Sequence, residues 1–454
     1  MKRVLAVVLA VVAVASVFPG CGGESDERAP FTGDTGKKVL IIGFDGLDWG
    51  RFERLASEGR LPNLAALADS GASGVLRSVP PYVSPTIWTS IATGKLGEKH
   101  GIGGFTVYGV SGADSVTLIS SKEIRCRTLW EILADSGMSS GIVGWLVAYP
   151  PLPVTDYTVT SKTVAAMSRR VGRFIIKSDI PLEATVHPPE LWGEIEPLGT
   201  RPSEIPEEIL NGYLGKTSGL EDGLIEDRTD FLADRLAADL TAVAVAEKLI
   251  PERPTRLTAV YMAGCDQISH FFWRYWEPES WKREDQIPDE AVEAYSTVID
   301  RYYENVDEMA GRILRLRDGN TIVVVCSDHG FAGHRGHSGF EPTPGRETAF
   351  GQYMHRQEGV IIVHGPGIAA GERIEGATIL DVTPTVLAAL GLPAARDMDG
   401  RPLASAFEPS FLDRHPIDEI ATYETGERAG TEAPAESPVD EEEKELLRSL
   451  GYID

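Results

Sequence analysis

The chain has 454 residues, of which 42% are hydrophobic and 24% charged. That is a globular composition, long enough for one large domain with a sizeable insertion or for two domains. The 68 acidic residues against 43 basic ones leave a net charge of −25, which argues against a nucleic-acid duplex or anionic lipid headgroups as docking partners; four cysteines are too few for a disulfide-built fold.

Residues 1–20 read as an export signal: Lys2 and Arg3, then an apolar run over 4–18 that is too short for a membrane-spanning helix. The run ends Phe18-Pro-Gly-Cys21, which resembles a bacterial lipoprotein signal in which Cys21 is lipidated and becomes the new N-terminus. Phe18 and Pro19 depart from the usual Leu-Ala/Ser-Gly pattern, and ordinary cleavage nearby would instead leave a soluble exported protein. With Cys21 modified, the chain is expected to sit in the periplasm or at the cell surface, anchored to a membrane through its N-terminal lipid. Residues 21–37 form a polar tether.

The first strand is predicted over 39–44. It is an apolar run that ends abruptly in Asp45-Gly46, as when a buried strand delivers a carboxylate to a sheet edge and glycine lets the chain turn. Residues 62–71 predict a helix with Pro62 in its first turn and Gly71 at its end. After a short strand near 75–79, Pro85 fits a first helical position, which makes Ser84 the N-cap and Gly94 the stop. A helix near 128–135 and a strand near 141–145 continue the alternation. Periodicity fails over about 150–222, where proline clusters predict an irregular cap insertion. A long helix over 224–249 precedes a strand that runs into Asp266, with His270 four residues on. Another long helix is predicted over 291–317, followed by strand 321–326 and Ser327-Asp328-His329-Gly330. A Gly- and His-rich loop, strand 359–364 and helix 381–390 complete the main domain, 38–425. The tail, 426–454, is Glu-, Ala- and Pro-rich and predicts a solvated segment with a short helix over 440–450.

Three apolar strands thus end in Asp45, Asp266 and Asp328, and His270 and His329 lie close by. In open α/β sheets such an edge is where ligands bind, and converging carboxylates would repel one another without compensation. Mixed Asp/His sets suit Zn²⁺ and two-metal hydrolytic centres. Asp266 and His270 can share one ion, while Asp328 and His329 can bind one ion or straddle two, with Asp45 as a further ligand. Ser84, at a helix N-terminus where orphan N–H groups favour an anion, is the candidate nucleophile; Thr86 is the alternative. Buried free thiols are expected for Cys265 and Cys326.

These residues carry a resemblance. Asp45-Gly46, Pro62-Asn-Leu, the segment from Ser84 through Trp88 to Thr93-Gly94, His100-Gly101-Ile102, Asp266-x-x-x-His270 and Ser327-Asp328-His329-Gly330 resemble the alkaline phosphatase superfamily. The branch they are most similar to is the type I phosphodiesterase/nucleotide pyrophosphatase family, over about 38–403. The resemblance implies an α/β three-layer sandwich, a mostly parallel central sheet with helices on both faces and an inserted cap. It also implies two divalent ions, Zn²⁺ in the family, and a covalent phospho-enzyme. Carried over by position, Asp45, Asp328 and His329 hold one metal, Asp266 and His270 the other, and Ser84 stands where the family has its nucleophile. A downstream histidine should be the sixth ligand: His355 matches best and His337 is the alternative, with His334 and His364 structural or surface residues and His100 packing or capping a helix.

Ile87 stands where nucleotide-cleaving members have an Asn that donates to the phosphate, so that donor must come from elsewhere or be absent. The sulfatase signature Ser/Cys-x-Pro-x-Arg is also missing, since Pro85 is one place early and Trp88 replaces the Arg. The expectation is an exported two-metal phosphoester hydrolase, a phosphodiesterase or phosphatase acting on a small phosphoester. The alternatives are a phosphotransferase of the same superfamily and a surface lipoprotein that binds an anion without turning it over. Trp145, Tyr149 and Trp273, near the insertion, are either substrate-selecting or core residues.

Overall fold

In a computed structural model the described residues are 33–108, 116–168, 181–280, 287–332, 354–428, 430, 436–437, 440–450 and 452. The export signal, Cys21, His334 and His337 lie outside them. Among the described residues, no helix is long and apolar enough to cross a membrane.

Nine strands form the central sheet: β1 (Lys38–Phe44), β2 (Ala72–Arg77), β3 (Ser140–Val143), β4 (Tyr157–Val159), β5 (Val186–His187), β6 (Leu257–Met262), β7 (Thr321–Cys326), β8 (Glu358–His364) and β9 (Glu372–Ile374). Their order is β9-β2-β8-β7-β1-β6-β3-β4-β5. The five central strands from β7 to β4 are parallel; β8 is antiparallel to both its neighbours, and β5 is antiparallel to β4.

Alternation along the strands explains the layers. Leu40, Ile42 and Phe44 of β1, with Val323 and Val325 of β7, face one apolar cluster; Val39 and Ile41, with Ile322 and Val324, face the other. A strand buried on both faces therefore reads as an unbroken apolar run. Each of these fully buried side chains contributes about 1.5–3 kcal/mol of transfer free energy. Helices Trp49–Ser57, Pro62–Asp69, Asp222–Glu252, Gly264–Trp276 and Val298–Leu314 pack on the first face. Helices Ser84–Thr93, Leu129–Asp135 and Val382–Leu390 pack on the second.

Three elements differ from expectation. The helix expected over 291–317 is two, Asp289–Tyr295 and Val298–Leu314, parted at Ser296-Thr297, where the Thr297 hydroxyl donates to the Tyr213 carbonyl at 2.9 Å. The region 150–222 is less irregular than its prolines suggest, since β4 and β5 extend the sheet and helix Ser161–Met167 packs beside them. The tail is not solvated throughout: parts of its described residues dock on the domain. Arg428 pairs with Glu131, whose side chain is fully buried, at 2.8 Å, and helix Asp440–Ser449 buries Leu447.

Register then positions the site. Phe44 pairs with Met262 and Gly43 with Cys326, so β1, β6 and β7 finish together and the residues after them emerge at one edge. The short pairing of Phe331 with His355 brings the start of β8 to the same place, whereas His364 pairs with Val323 at the far end of that strand.

Candidate active site

Asp45 and Asp328 leave β1 and β7 in loops, and Asp266 lies in the first turn of the helix that follows β6, with His270 one turn later on the same face. Gly46 makes the turn after β1 at φ +69°, and a Cβ there would lie 2.9 Å from Asp266 Cα, so only glycine lets the two loops approach this closely.

Asp45, Asp328, His329 and His355 divide their polar atoms between the fold and the pocket. Asp45 Oδ2 accepts from Tyr261 Oη at 2.6 Å and Trp88 Nε1 at 3.0 Å, leaving Oδ1 directed inward. Asp328 Oδ1 accepts from the Gly46 amide at 3.1 Å, while its Oδ2 is buried without a hydrogen bond. His329 Nδ1 lies 3.0 Å from the Gly330 carbonyl and His355 Nδ1 2.9 Å from the Tyr82 carbonyl. An Nδ1–H donated to a carbonyl leaves Nε2 with its lone pair for a cation.

The inward atoms fall into two groups. Asp266 Oδ1, His270 Nε2 and His355 Nε2 are 3.2, 3.0 and 3.3 Å apart. His329 Nε2 is 3.4 Å from Asp45 Oδ1 and 3.3 Å from Asp328 Oδ2. Corners of a tetrahedral zinc site with bonds of about 2.05 Å are roughly 3.3 Å apart. Asp266 Oδ1, Asp328 Oδ2 and His329 Nε2 are all buried with no hydrogen bond, a costly arrangement for carboxylates unless a cation compensates. The donor set therefore fits divalent-cation binding. Asp45, Asp328 and His329 form one cradle; Asp266 and His355 form the other, with His270 Nε2 3.2 Å from Asp266 Oδ1 and the shared His329 Nε2 3.8 Å from it.

The electrostatics reflect the same crowding. Burial, with Asp45 beside it, pushes the Asp328 carboxyl well above the usual carboxylate range. Burial alone would lower His329, but Asp328 and its neighbouring carboxylates raise it to about 10. Burial and the facing His329 ring hold His355 down to about 3. Asp266 goes well below its ordinary value against the cost of burial, because His270 and His355 face it.

Ser84 Oγ lies 3.4 Å from Asp45 Oδ1, at the mouth of the first cradle. It is not the N-cap. Val83 takes that place, since its carbonyl accepts the amides of Thr86 and Ile87, and Ser84 begins the helix; its hydroxyl is thus free to face the carboxylate. Ser84, Asp45 and Asp266 open onto a cavity of about 390 Å³; Thr86 is not among its lining residues.

The type I phosphodiesterase / nucleotide pyrophosphatase family profile matches residues 39–366, most of the chain and every ligand candidate above. The chain belongs to this family.

It is accordingly a phosphoester hydrolase of the alkaline phosphatase superfamily. No curated protein matches the chain significantly by sequence, whereas solved structures show its fold. A 2-O glycosaminoglycan sulfatase is 14% identical, with a TM-score of 0.50 over 85% of this chain and 76% of its own. A Sinorhizobium meliloti phosphonoacetate hydrolase in complex with phosphonoformate is 19% identical, with a TM-score of 0.39 over 65% of this chain and 57% of its own. An inactive murine ectonucleotide pyrophosphatase/phosphodiesterase 5 in complex with AMP is 13% identical, with a TM-score of 0.42 over 78% of this chain and 95% of its own.

The remaining sequence candidates have structural roles. His100 is buried, with Nε2 3.0 Å from Ser90 Oγ and its Nδ1 accepting the Ile102 amide, and burial lowers it to about 4. Cys265 and Cys326 are buried free thiols. Trp145 packs edge-on against Trp88, and Trp273 against Phe331 and Trp276, so both are core residues. Tyr149 is buried and donates to the Glu436 carbonyl. The aromatic cavity wall comes instead from Phe105, Phe231, Phe271, Tyr261 and Tyr452. Tyr261, Trp88 and Tyr452 touch ligand atoms and were not singled out by sequence as part of the site. Only the placement of Tyr261 near the end of a ligand-bearing strand could have hinted at one of them.

Proposed function

We propose that the chain is an exported phosphoester hydrolase acting through a covalent phospho-Ser84 intermediate, in a site built for two divalent cations. Zn²⁺ suits the Asp/His donors. The observation that carries the reading is the Ser84 hydroxyl 3.4 Å from the inward oxygen of Asp45, beside buried carboxylate and imidazole atoms that have no hydrogen bond. Electrophilic stabilisation of the phosphoryl oxygens and of the serine alkoxide is what the cations supply when bound.

Ser84 Oγ attacks phosphorus, the bond from phosphorus to the leaving oxygen breaks, and the alcohol departs with the proton that Ser84 gave up. Water then attacks the phosphoserine, and its second proton restores the hydroxyl as phosphate, or a monoester from a diester, is released. Tyr261 and Trp88 orient Asp45, while the carbonyls of Gly330 and Tyr82 orient His329 and His355. In the cavity lining the acidic side chains of Asp227, Asp230, Asp234, Glu443 and Glu445 outnumber the basic one, Arg235. That lining favours a small phosphoester with an organic, non-anionic leaving group and disfavours one bearing further phosphates.

The test pairs metal quantitation with turnover of chromogenic phosphate mono- and diesters. Two ions per chain, and loss of turnover in Ser84→Ala, are expected. Fewer ions, or unchanged turnover in the variant, would favour an anion-binding lipoprotein. The signal over residues 1–20 and Cys21 support export with a lipid anchor. Mass spectrometry of the mature N-terminus checks this, and an unmodified residue 21 rejects the anchor.

A further inference from the structure

The described part of the C-terminal tail is bolted to the catalytic domain and ends inside the site. Lys162, whose side chain is 7% exposed, pairs with Asp440 at 3.0 Å and also with Glu443. Removing those carboxylates would leave a buried ammonium uncompensated, so this docking is a standing part of the fold. Leu447 and Leu450 are buried behind it, and the Tyr452 amide returns to the Leu447 carbonyl at 2.8 Å. The Tyr452 ring lies 4.7 Å from that of Phe105. Its hydroxyl is 2.6 Å from His270 Nε2, 3.0 Å from His355 Nε2 and 3.2 Å from Asp266 Oδ2.

The first helix of the site, meanwhile, lacks a donor. Ile87, one turn after Ser84, is fully buried in the apolar cluster beneath the sheet edge and offers nothing to a phosphoryl oxygen. The Nε2 atoms of His270 and His355 and the carboxylate of Asp266 are the atoms a cation would engage. Once they are engaged, the phenol is left facing the cavity it shares with Ser84, with an O–H to give.

We propose that Tyr452, delivered by the tail, is a catalytic residue of the phosphoester hydrolase, donating a hydrogen bond to a phosphoryl oxygen of the substrate in the role that Ile87 cannot fill. The inference rests on the phospho-Ser84 reading for the identity of the substrate. It makes the C-terminal segment a part of the active site rather than an appendage.

The decisive variant is Tyr452→Phe in the full, metal-loaded chain, which keeps the ring packed on Phe105. Metal content and melting temperature should match wild type. The kcat/KM for an aryl phosphoester should fall about 10- to 1,000-fold, mostly in kcat, as when one transition-state donor is lost, and orthovanadate affinity should fall with it. Unchanged or increased turnover with undiminished vanadate binding overturns the proposal, the increase being the mark of a tail that plugs the site. Loss of a metal ion also overturns it, since Tyr452 would then be a ligand. In the metal-loaded chain, amides of 440–450 should be protected from hydrogen exchange; free exchange shows an undocked tail and overturns it equally. Ser84→Ala separates the two readings. Residual turnover there defeats the phosphoserine intermediate, while vanadate affinity compared with and without the Tyr452 hydroxyl still judges the donor.

Discussion

Tyr261→Phe isolates the part of the site that holds a ligand without touching substrate. The phenol donates to Asp45 Oδ2 at 2.6 Å, and its ring packs edge-on against Trp88 at 4.8 Å, so the variant removes one hydroxyl and leaves the packing filled. A hydrogen bond to a buried charged group is worth about 1.5–3 kcal/mol, and every 1.4 kcal/mol is tenfold in an equilibrium constant. Cation affinity of the Asp45, Asp328 and His329 cradle should therefore fall by about 10- to 100-fold, the range seen when a ligand's supporting contact is lost. Chelator competition on the purified protein should resolve one weakened ion and one little changed, because the Tyr261 hydroxyl hydrogen-bonds Asp45 rather than Asp266, His270 or His355. Equal weakening of both ions, or of neither, would refute the assignment of Asp45 to its own cradle and of Tyr261 to its support.

Gly46→Ala forces a side chain into the left-handed region at φ +69° and sets a Cβ 2.9 Å from Asp266 Cα. It should cost about 1–2 kcal/mol from the backbone alone and lower metal content by displacing Asp266; wild-type melting and metal content would contradict this. Asp239 supplies a pH signature. Burial raises it from 3.8 to about 7, although Tyr302 Oη at 2.9 Å and the Gly264 amide at 3.2 Å donate to it. The folded state then binds a proton that the unfolded state releases, so this stability is present below pH 3.8 and is lost as pH rises to about 7, on the order of 4 kcal/mol over the window. Urea midpoints from pH 5 to 8 should slope less in Asp239→Asn than in wild type, and parallel slopes would reject the shift. Arg428→Met should destabilise the chain by about 3 kcal/mol, because it strands the fully buried Glu131 carboxylate. A denaturation midpoint equal to wild type would mean the tail does not dock there.

Much of the site was legible because its ligands follow apolar strands. An unbroken run that stops at Asp45 or at Ser327-Asp328 announces both a strand buried on two faces and the place where it ends. His355 was legible only through the family resemblance, which asks for a downstream histidine and left His337 as the alternative. What stayed hidden depends on contacts across the chain. Tyr261 reads as an ordinary strand aromatic until β6 pairs with β1 and its hydroxyl meets Asp45. Ser84 read as a cap from the Pro85 beside it, yet the carbonyl of Val83 starts the helix one residue earlier and frees the hydroxyl. The tail was the largest surprise. Its acidic composition suggested solvent, but two of its carboxylates answer a buried lysine in the insertion. Tyr452 meets His355 across 97 residues of sequence, a distance over which no local pattern speaks.

The arrangement of donors also accounts for why these groups tolerate one another. For Asp45, Asp328, His329 and His355, one polar atom is tied to the fold, by Tyr261 and Trp88, the Gly46 amide, the Gly330 carbonyl and the Tyr82 carbonyl respectively. The other is aimed inward and cannot turn away. Rigid, dry and like-charged, the carboxylates lose more by mutual repulsion than their own hydrogen bonds return. Without cations, sharing protons is the remaining relief, which is the direction in which Asp328 and His329 are both pushed. Cations do the same work with more charge and without closing the oxygen of Ser84. The repulsion built into the cradles is thus the source of their affinity, and the fold tolerates it because two apolar layers hold the strand ends in register.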